Sequence, residues 1–216
     1  MTKAVAMFKG PDAKALQAIA NSFVAAAESP QTYSDGRPIL RMSRDGVFMF
    51  GVDNTEVEEG AQLCVNIQSW QKGFRAWSEF GVGQPTILGE ILVKFNEPLP
   101  GKGALEDVGQ PWQPCFSVDM TIISGEDAGI EVNYSPTSGG GIDFGNKLAV
   151  AIGKRAAEGK TDLNPVITLA TSGYTSKRYG PQVKPEFVVV GWNKIGTVEV
   201  KKTKPKASKA RTRTKK

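Results

Sequence analysis

From Cys115 to Ile123 the chain alternates without a break. Phe116, Val118, Met120 and Ile122 fall on one side; Ser117, Asp119 and Thr121 fall on the other. A period of two predicts a half-buried strand. The same period, bounded by turn residues, predicts strands at Pro38–Met42, Val47–Val52 and Gln62–Ile67, with turns at Asp45-Gly46 and Glu59-Gly60. Trp70–Phe80 carries Gly73 and an aromatic spacing that permit a strand with a bulge. Thr86–Phe95 is a long strand candidate. Residues 96–114 have the glycines and prolines of a loop. After the turn SGEDAG, Ile130, Val132 and Tyr134 continue the apolar face. Pro165–Thr171 and Val183–Trp192 give two more strands.

Two stretches change to helical spacing. Leu16, Ile19, Ala20, Phe23, Val24 and Ala27 share one face of a predicted helix over residues 11–28, with Pro11 in its first turn and Ser29-Pro30 at its end. Phe144, Leu148, Ala151, Ile152 and Arg155 form a second stripe, with Asp143 as the expected N-cap and Gly159 as the terminator. The reading is a β-rich α+β chain in three parts: an N-terminal helical segment (1–32), a β-rich core (33–198) and a basic tail (199–216) with almost nothing to bury.

From Thr86 to Trp192 the order is strand, strand, strand, helix, strand, strand. That is the order of an OB-fold, a five-stranded Greek-key barrel. The expectation is an OB-fold-like barrel with extra N-terminal strands and an N-terminal helix. In this mapping 96–114 is the first connection, and the stretch around SGYTSKRYGPQVK is the one between the fourth and fifth strands. OB-folds bind oligonucleotides or oligosaccharides with these two connections.

Charge sharpens the picture. The chain carries +5 from 27 cations and 22 acids. Its last sixteen residues, KKTKPKASKARTRTKK, hold nine cations and no acid. The rest therefore has 18 cations against 22 acids, or −4. The fold is acidic and the arm basic. Cys64 and Cys115 stand far apart, and no secretory signal or membrane-length apolar run is present. One disulfide is possible, but two reduced, buried thiols in a cytosolic protein are expected.

With no histidine in the chain, serine–histidine and cysteine–histidine catalysis and His-bearing metal sites are excluded. GGIDFGNKL misses the P-loop pattern at Asn146 and Leu148. Asp53, Glu56, Glu58 and Glu59, like Glu126 and Asp127, sit in turn-like stretches that read as solvated charge rather than as a metal-dependent nuclease centre. No catalytic residue, cofactor or metal is expected.

Three features suit single-stranded nucleic acid. Tyr174 and Tyr179 can stack on bases beside Lys177, Arg178 and Lys184; alternatively both rings pack at a barrel end. In SWQKGFRAW, Trp70, Phe74 and Trp77 interleave with Lys72 and Arg75. If extended, Arg75 and Trp77 share a face and Phe74 takes the other. This stretch is either a stacking groove or an edge strand covering the core. The tail, with Lys201, Lys202, Lys204, Lys206, Lys209, Arg211 and Arg213, attracts any polyanion in a salt-dependent way. The outward face of Ser117, Asp119, Thr121, Glu131 and Asn133 is acidic and lacks aromatics, so binding falls to loops, residues 69–77 and the tail.

FGVDNTEVEEG (50–60), LEDVGQPWQ (105–113), ISGEDAGIEVNYSPTSGGG (123–141) and YGPQVKPEFVVVGW (179–192) resemble a family of small proteins encoded by tailed phages and prophages. The resemblance implies a replication or recombination context and a likeness to phage single-stranded DNA-binding proteins with an OB core. Many of those end in an acidic peptide that recruits partners, whereas this chain ends in KARTRTKK. The expectation is a non-enzymatic, sequence-tolerant binder of single-stranded DNA, or of RNA, that self-associates and does not bind membranes. The alternative is a phage protein that binds and modulates a host protein.

Overall fold

The computed structural model describes residues 36–78, 86–176 and 180–196. The helix expected over 11–28 and the tail lie outside the described residues. The elements in order are β1 (Ile39–Met42), β2 (Phe48–Phe50), β3 (Thr55–Glu56), β4 (Gln62–Trp77), β5 (Ile87–Lys94), a 3-10 turn (Lys102–Ala104), β6 (Gln113–Ile122), β7 (Glu131–Tyr134), α1 (Gly139–Ala157), β8 (Asn164–Ser176) and β9 (Gly180–Asn193). The chain is thus β-rich α+β, with its described helix late in the sequence.

All nine strands join one mixed sheet, in the order β3-β2-β1-β7-β6-β4-β8-β9, with β5 added to β4. β1 runs parallel to β7, while the other pairs are antiparallel. The sheet curls strongly into a half-barrel. The curl is visible where the β1–β2 turn meets the β8–β9 hairpin from the far side of the sheet. A Cβ on Gly46 would stand 3.0 Å from Val183 Cγ1 and 3.4 Å from Thr171 Cγ2.

β4 organises this sheet. The segments expected as separate strands at Gln62–Ile67 and Trp70–Phe80 are one strand of 16 residues, interrupted by a bulge between Asn66 and Gln71. The Asn66 side chain accepts from Gln68 N, and its carbonyl accepts from Ser69 Oγ. These local bonds satisfy the polar groups that the bulge removes from the ladder. β6 follows β4 along both halves, whereas β8 pairs only with Gln62–Cys64 and β5 only with Gln71–Trp77. This corrects the sequence mapping. Thr86–Phe95 does not serve as the first strand of a barrel, because β5 bonds to β4 and not to β6.

The alternation in β6 holds. Phe116, Val118, Met120 and Ile122 enter a core with Leu40, Leu63, Val65, Val132, Phe144, Leu148 and Ile167. Each large side chain fully buried here contributes about 1.5–3 kcal/mol. A chain of rings crosses that core. Centroid distances are 5.4 Å for Phe95–Trp70, 5.6 Å for Trp70–Phe116, 5.9 Å for Phe116–Tyr134, 5.1 Å for Tyr134–Phe144 and 4.7 Å for Phe144–Phe187.

α1 starts earlier than the sequence reading placed it. Ser138, not Asp143, is the N-cap, its hydroxyl accepting from Gly141 N. The glycine run lies inside the helix: a Cβ on Gly141 would fall 2.3 Å from Pro136 Cβ and one on Gly140 3.0 Å from Lys184 Cβ, while Gly139 faces open space. A Cβ on Gly145 would fall 2.3 Å from Cε1 of Phe116. The helix lies along β9, with Phe144 on Phe187 and Arg155 over Trp192. The Gly159 terminator holds, its N–H bonding Ala156 O at a φ of +72°.

Candidate nucleic-acid interface

The two faces of β4 beyond its bulge carry different chemistry. On the inner face Trp70 and Phe74 are buried, as the core reading of these two rings expects. Lys72, between them, sets its Nζ 5.4 Å from the centroid of Phe95, a ring 49% exposed at the end of β5. The 96–112 loop folds back over the same hairpin. Lys102 Nζ stands 5.6 Å from the Phe74 centroid, and the Trp112 ring lies against Gly89 while its Nε1 donates to Glu106 O. Among the described residues neither Lys72 nor Lys102 is ion-paired. A cation over an exposed ring contributes about 0.5–1 kcal/mol.

On the outer face Arg75 lies over Trp77, its Cζ 5.6 Å from the ring centroid, so the expectation that these two share a face is met. Arg75 itself is only 4% exposed. Its Nε donates to Glu90 at 2.7 Å, and its other nitrogens donate to Glu90 and to the carbonyl and hydroxyl of Ser135. A phosphate contact was expected at Arg75; the side chain instead locks β4, β5 and the end of β7 together. Trp77 is half-buried, and its Nε1 has no hydrogen-bond partner among the described residues. Cys115 lies nearby, its thiol pushed up to about 11 by burial, with Glu90 adding to the shift and Arg75 opposing it.

The stretch read in the sequence around SGYTSKRYGPQVK belongs to the β8–β9 hairpin, paired without a break from Thr168↔Val188 to Ser176↔Gly180. Tyr174 is 48% exposed on its outer face. Lys177, Arg178 and Tyr179 lie outside the described residues, as do the tail cations Lys201, Lys202, Lys204, Lys206, Lys209, Arg211 and Arg213. Lys184 sits one position from Tyr174 on that face but is engaged. Its Nζ contacts Asp143 at 3.0 Å and Glu186 at 3.2 Å, while Lys147 contacts the same two carboxylates. The hydrogen bond from Lys184 holds the Asp143 carboxyl below the usual range, and the Lys184 ammonium is raised in return. Lys184 thus ties the hairpin to α1.

By register Trp77 and Tyr174 share the outer face but stand at opposite ends of β4. β8 meets β4 at Gln62–Cys64 and runs past its start, whereas Trp77 is at its finish. Between them lie the polar residues read in the sequence as an outward face; Ser117 and Asn133 are instead buried there, and the group is internally satisfied. Asn133 Nδ2 donates to Ser117 Oγ and Asp119 Oδ1, both at 2.9 Å, and Arg37 bridges Asp119 and Glu131.

Sequence reasoning missed Phe95 and Lys102. Phe95 closes an apolar strand pattern and reads as core; Lys102 sits in a Gly/Pro-rich loop with no period to place it. Among the described residues no helix is long and apolar enough to cross a membrane, and no group of three or more Cys, Asp or Glu is set to hold a metal ion. Comparison with protein-family models, with curated proteins and with solved structures found no match to this chain.

Proposed function

We propose that this is a sequence-tolerant single-stranded DNA-binding protein of phage replication or recombination, acting without catalysis. The observation that carries the reading is a pair of half-exposed rings, Phe95 at the end of β5 beside Lys72 and Tyr174 near the end of β8. Stacking on such a ring contributes about 1–3 kcal/mol per base and tolerates any sequence. Lys72, Lys102, Lys177, Arg178 and the tail neutralise phosphates, with Trp77, Tyr174 and Tyr179 as further rings.

An OB-type arrangement supports this, with β4 rather than β5 as its first strand. β4 pairs with β6 and β8, β6 with β7, β8 with β9, and α1 falls between β7 and β8. The closing pair of third and fifth strands is replaced by β1 on β7 and by the helix along β9. Between the first and second strands the chain then runs through β5 and the 96–112 loop, and the fourth and fifth strands are β8 and β9. Such barrels bind oligonucleotides with the connections within these two strand pairs. Anisotropy titration with a fluorescent oligodeoxythymidylate and with a duplex, at two salt concentrations, tests it. The single strand should bind more tightly, and its affinity should fall with salt. Duplex binding of equal strength would contradict the proposal.

The exposed Val188 and Val190 favour a second reading, in which the acidic body docks on a host protein. Retention of one stoichiometric host protein after nuclease treatment, without oligonucleotide affinity, would select it.

A further inference from the structure

We infer that Phe95 and Lys72 form an exchangeable base site, in which an unpaired base displaces the Lys72 ammonium from the Phe95 ring and the released lysine binds the adjoining phosphate. This rests on the single-strand reading above and adds a site on the inner face, away from Trp77 and Tyr174.

Phe95 is an aromatic ring left half in water at the end of β5, as Leu88 is at its start, while its neighbours Trp70 and Phe74 are buried. The ring is not loose. Trp70 holds it at 5.4 Å with a 55° tilt, and Phe95 N donates to Trp70 O at 3.1 Å. What covers it is Lys72, with Nζ 5.4 Å from the centroid and no carboxylate partner among the described residues. An exposed lysine–ring contact is weaker than base stacking, so a base can take its place. Most other described cations of the candidate site are committed: Arg75 to Glu90, and Lys184 to Asp143 and Glu186. Lys72 has no such tie. Lys102, over Phe74 on the same face, supplies a second cation for the strand's backbone. The fixed ring, the movable cation and the second lysine match one nucleotide of an unpaired strand: a flat base beside a phosphate.

The test uses the full chain with two probes of equal length, oligodeoxythymidylate and an abasic strand that keeps phosphates but has no bases. Phe95→Ala and Phe95→Leu should each weaken oligodeoxythymidylate binding about tenfold and leave the abasic strand unchanged, while Phe95→Trp keeps wild-type affinity. The leucine variant still packs on Trp70, so its loss reports the missing flat ring rather than a disturbed hairpin. Lys72→Met should weaken both probes and lower the salt slope by about 0.7. Wild-type affinity in both Phe95→Ala and Phe95→Leu would overturn the inference while leaving the single-strand reading intact. Equal loss for the two probes would overturn the stacking role. Failure of the wild-type chain to prefer the single strand over a duplex would overturn the reading and the inference together.

Discussion

Gly73 lies directly beneath the Ile91 carbonyl: a Cβ built on it would fall 1.7 Å from that oxygen. No side chain fits where β5 crosses β4 so closely. Gly73→Ala must therefore push the two strands apart and disturb both Lys72 and Phe74. The expected cost is about 3 kcal/mol, the upper end for overpacking, read as a lowered midpoint in denaturant. An unchanged midpoint would mean that the hairpin is spaced differently.

The Arg75–Glu90 pair predicts a second loss. Removing one partner of a buried ion pair costs about 3–5 kcal/mol, and Glu90 keeps a quarter of its surface in water. Glu90→Ala should therefore cost about 3 kcal/mol in denaturant unfolding. Arg75→Lys should not restore wild-type stability, because a single ammonium cannot reach Glu90 and Ser135 together.

The cluster of Lys147, Lys184, Asp143 and Glu186 makes the hairpin–helix junction depend on pH. Asp143 and Glu186 titrate below their usual range, chiefly through bonds from Lys184 and Lys147 respectively. Their contribution is present above their unfolded values, near about 4, and is lost as pH falls through the lower folded values. Lys184 is raised, so its contribution is present below its unfolded value, near about 10.4, and is lost as pH rises through the folded one. Lys184→Ala should lower the Tm at pH 7, and the gap to wild type should close below about pH 3. A gap independent of pH and salt would show that Lys184 acts through its aliphatic stem.

Burial of Cys115, with a thiol pushed up to about 11, and of Cys64, also raised, predicts silent thiols. Neither should react with a disulfide reagent at pH 8 within minutes in the folded chain, while both react in denaturant. Rapid labelling of one thiol in the native state would place it at the surface.

The strands of this sheet were legible because alternation survives wherever one face is buried, as in Phe116–Ile122. The pairing was not. Nothing periodic marks the bulge at Asn66–Gln71, so one long strand read as two, and β5 read as the start of a barrel it only flanks. The N-cap was misplaced because Gly139–Gly141 resembles a loop until Lys184 is seen against Gly140 and Pro136 against Gly141. Among the candidate site residues, the shared face of Arg75 and Trp77 follows from spacing alone. The burial of Arg75 and the engagement of Lys184 depend on Glu90, Ser135 and Asp143, which no local pattern connects to them.

The central claim is that the acidic body, not merely the basic arm, selects unpaired DNA. A chain ending at Val200, titrated with oligodeoxythymidylate in competition with duplex of equal length, tests it most directly. Weaker binding that still favours the single strand is the predicted result. Loss of all binding, or loss of the preference, would assign the affinity to the arm and contradict the account.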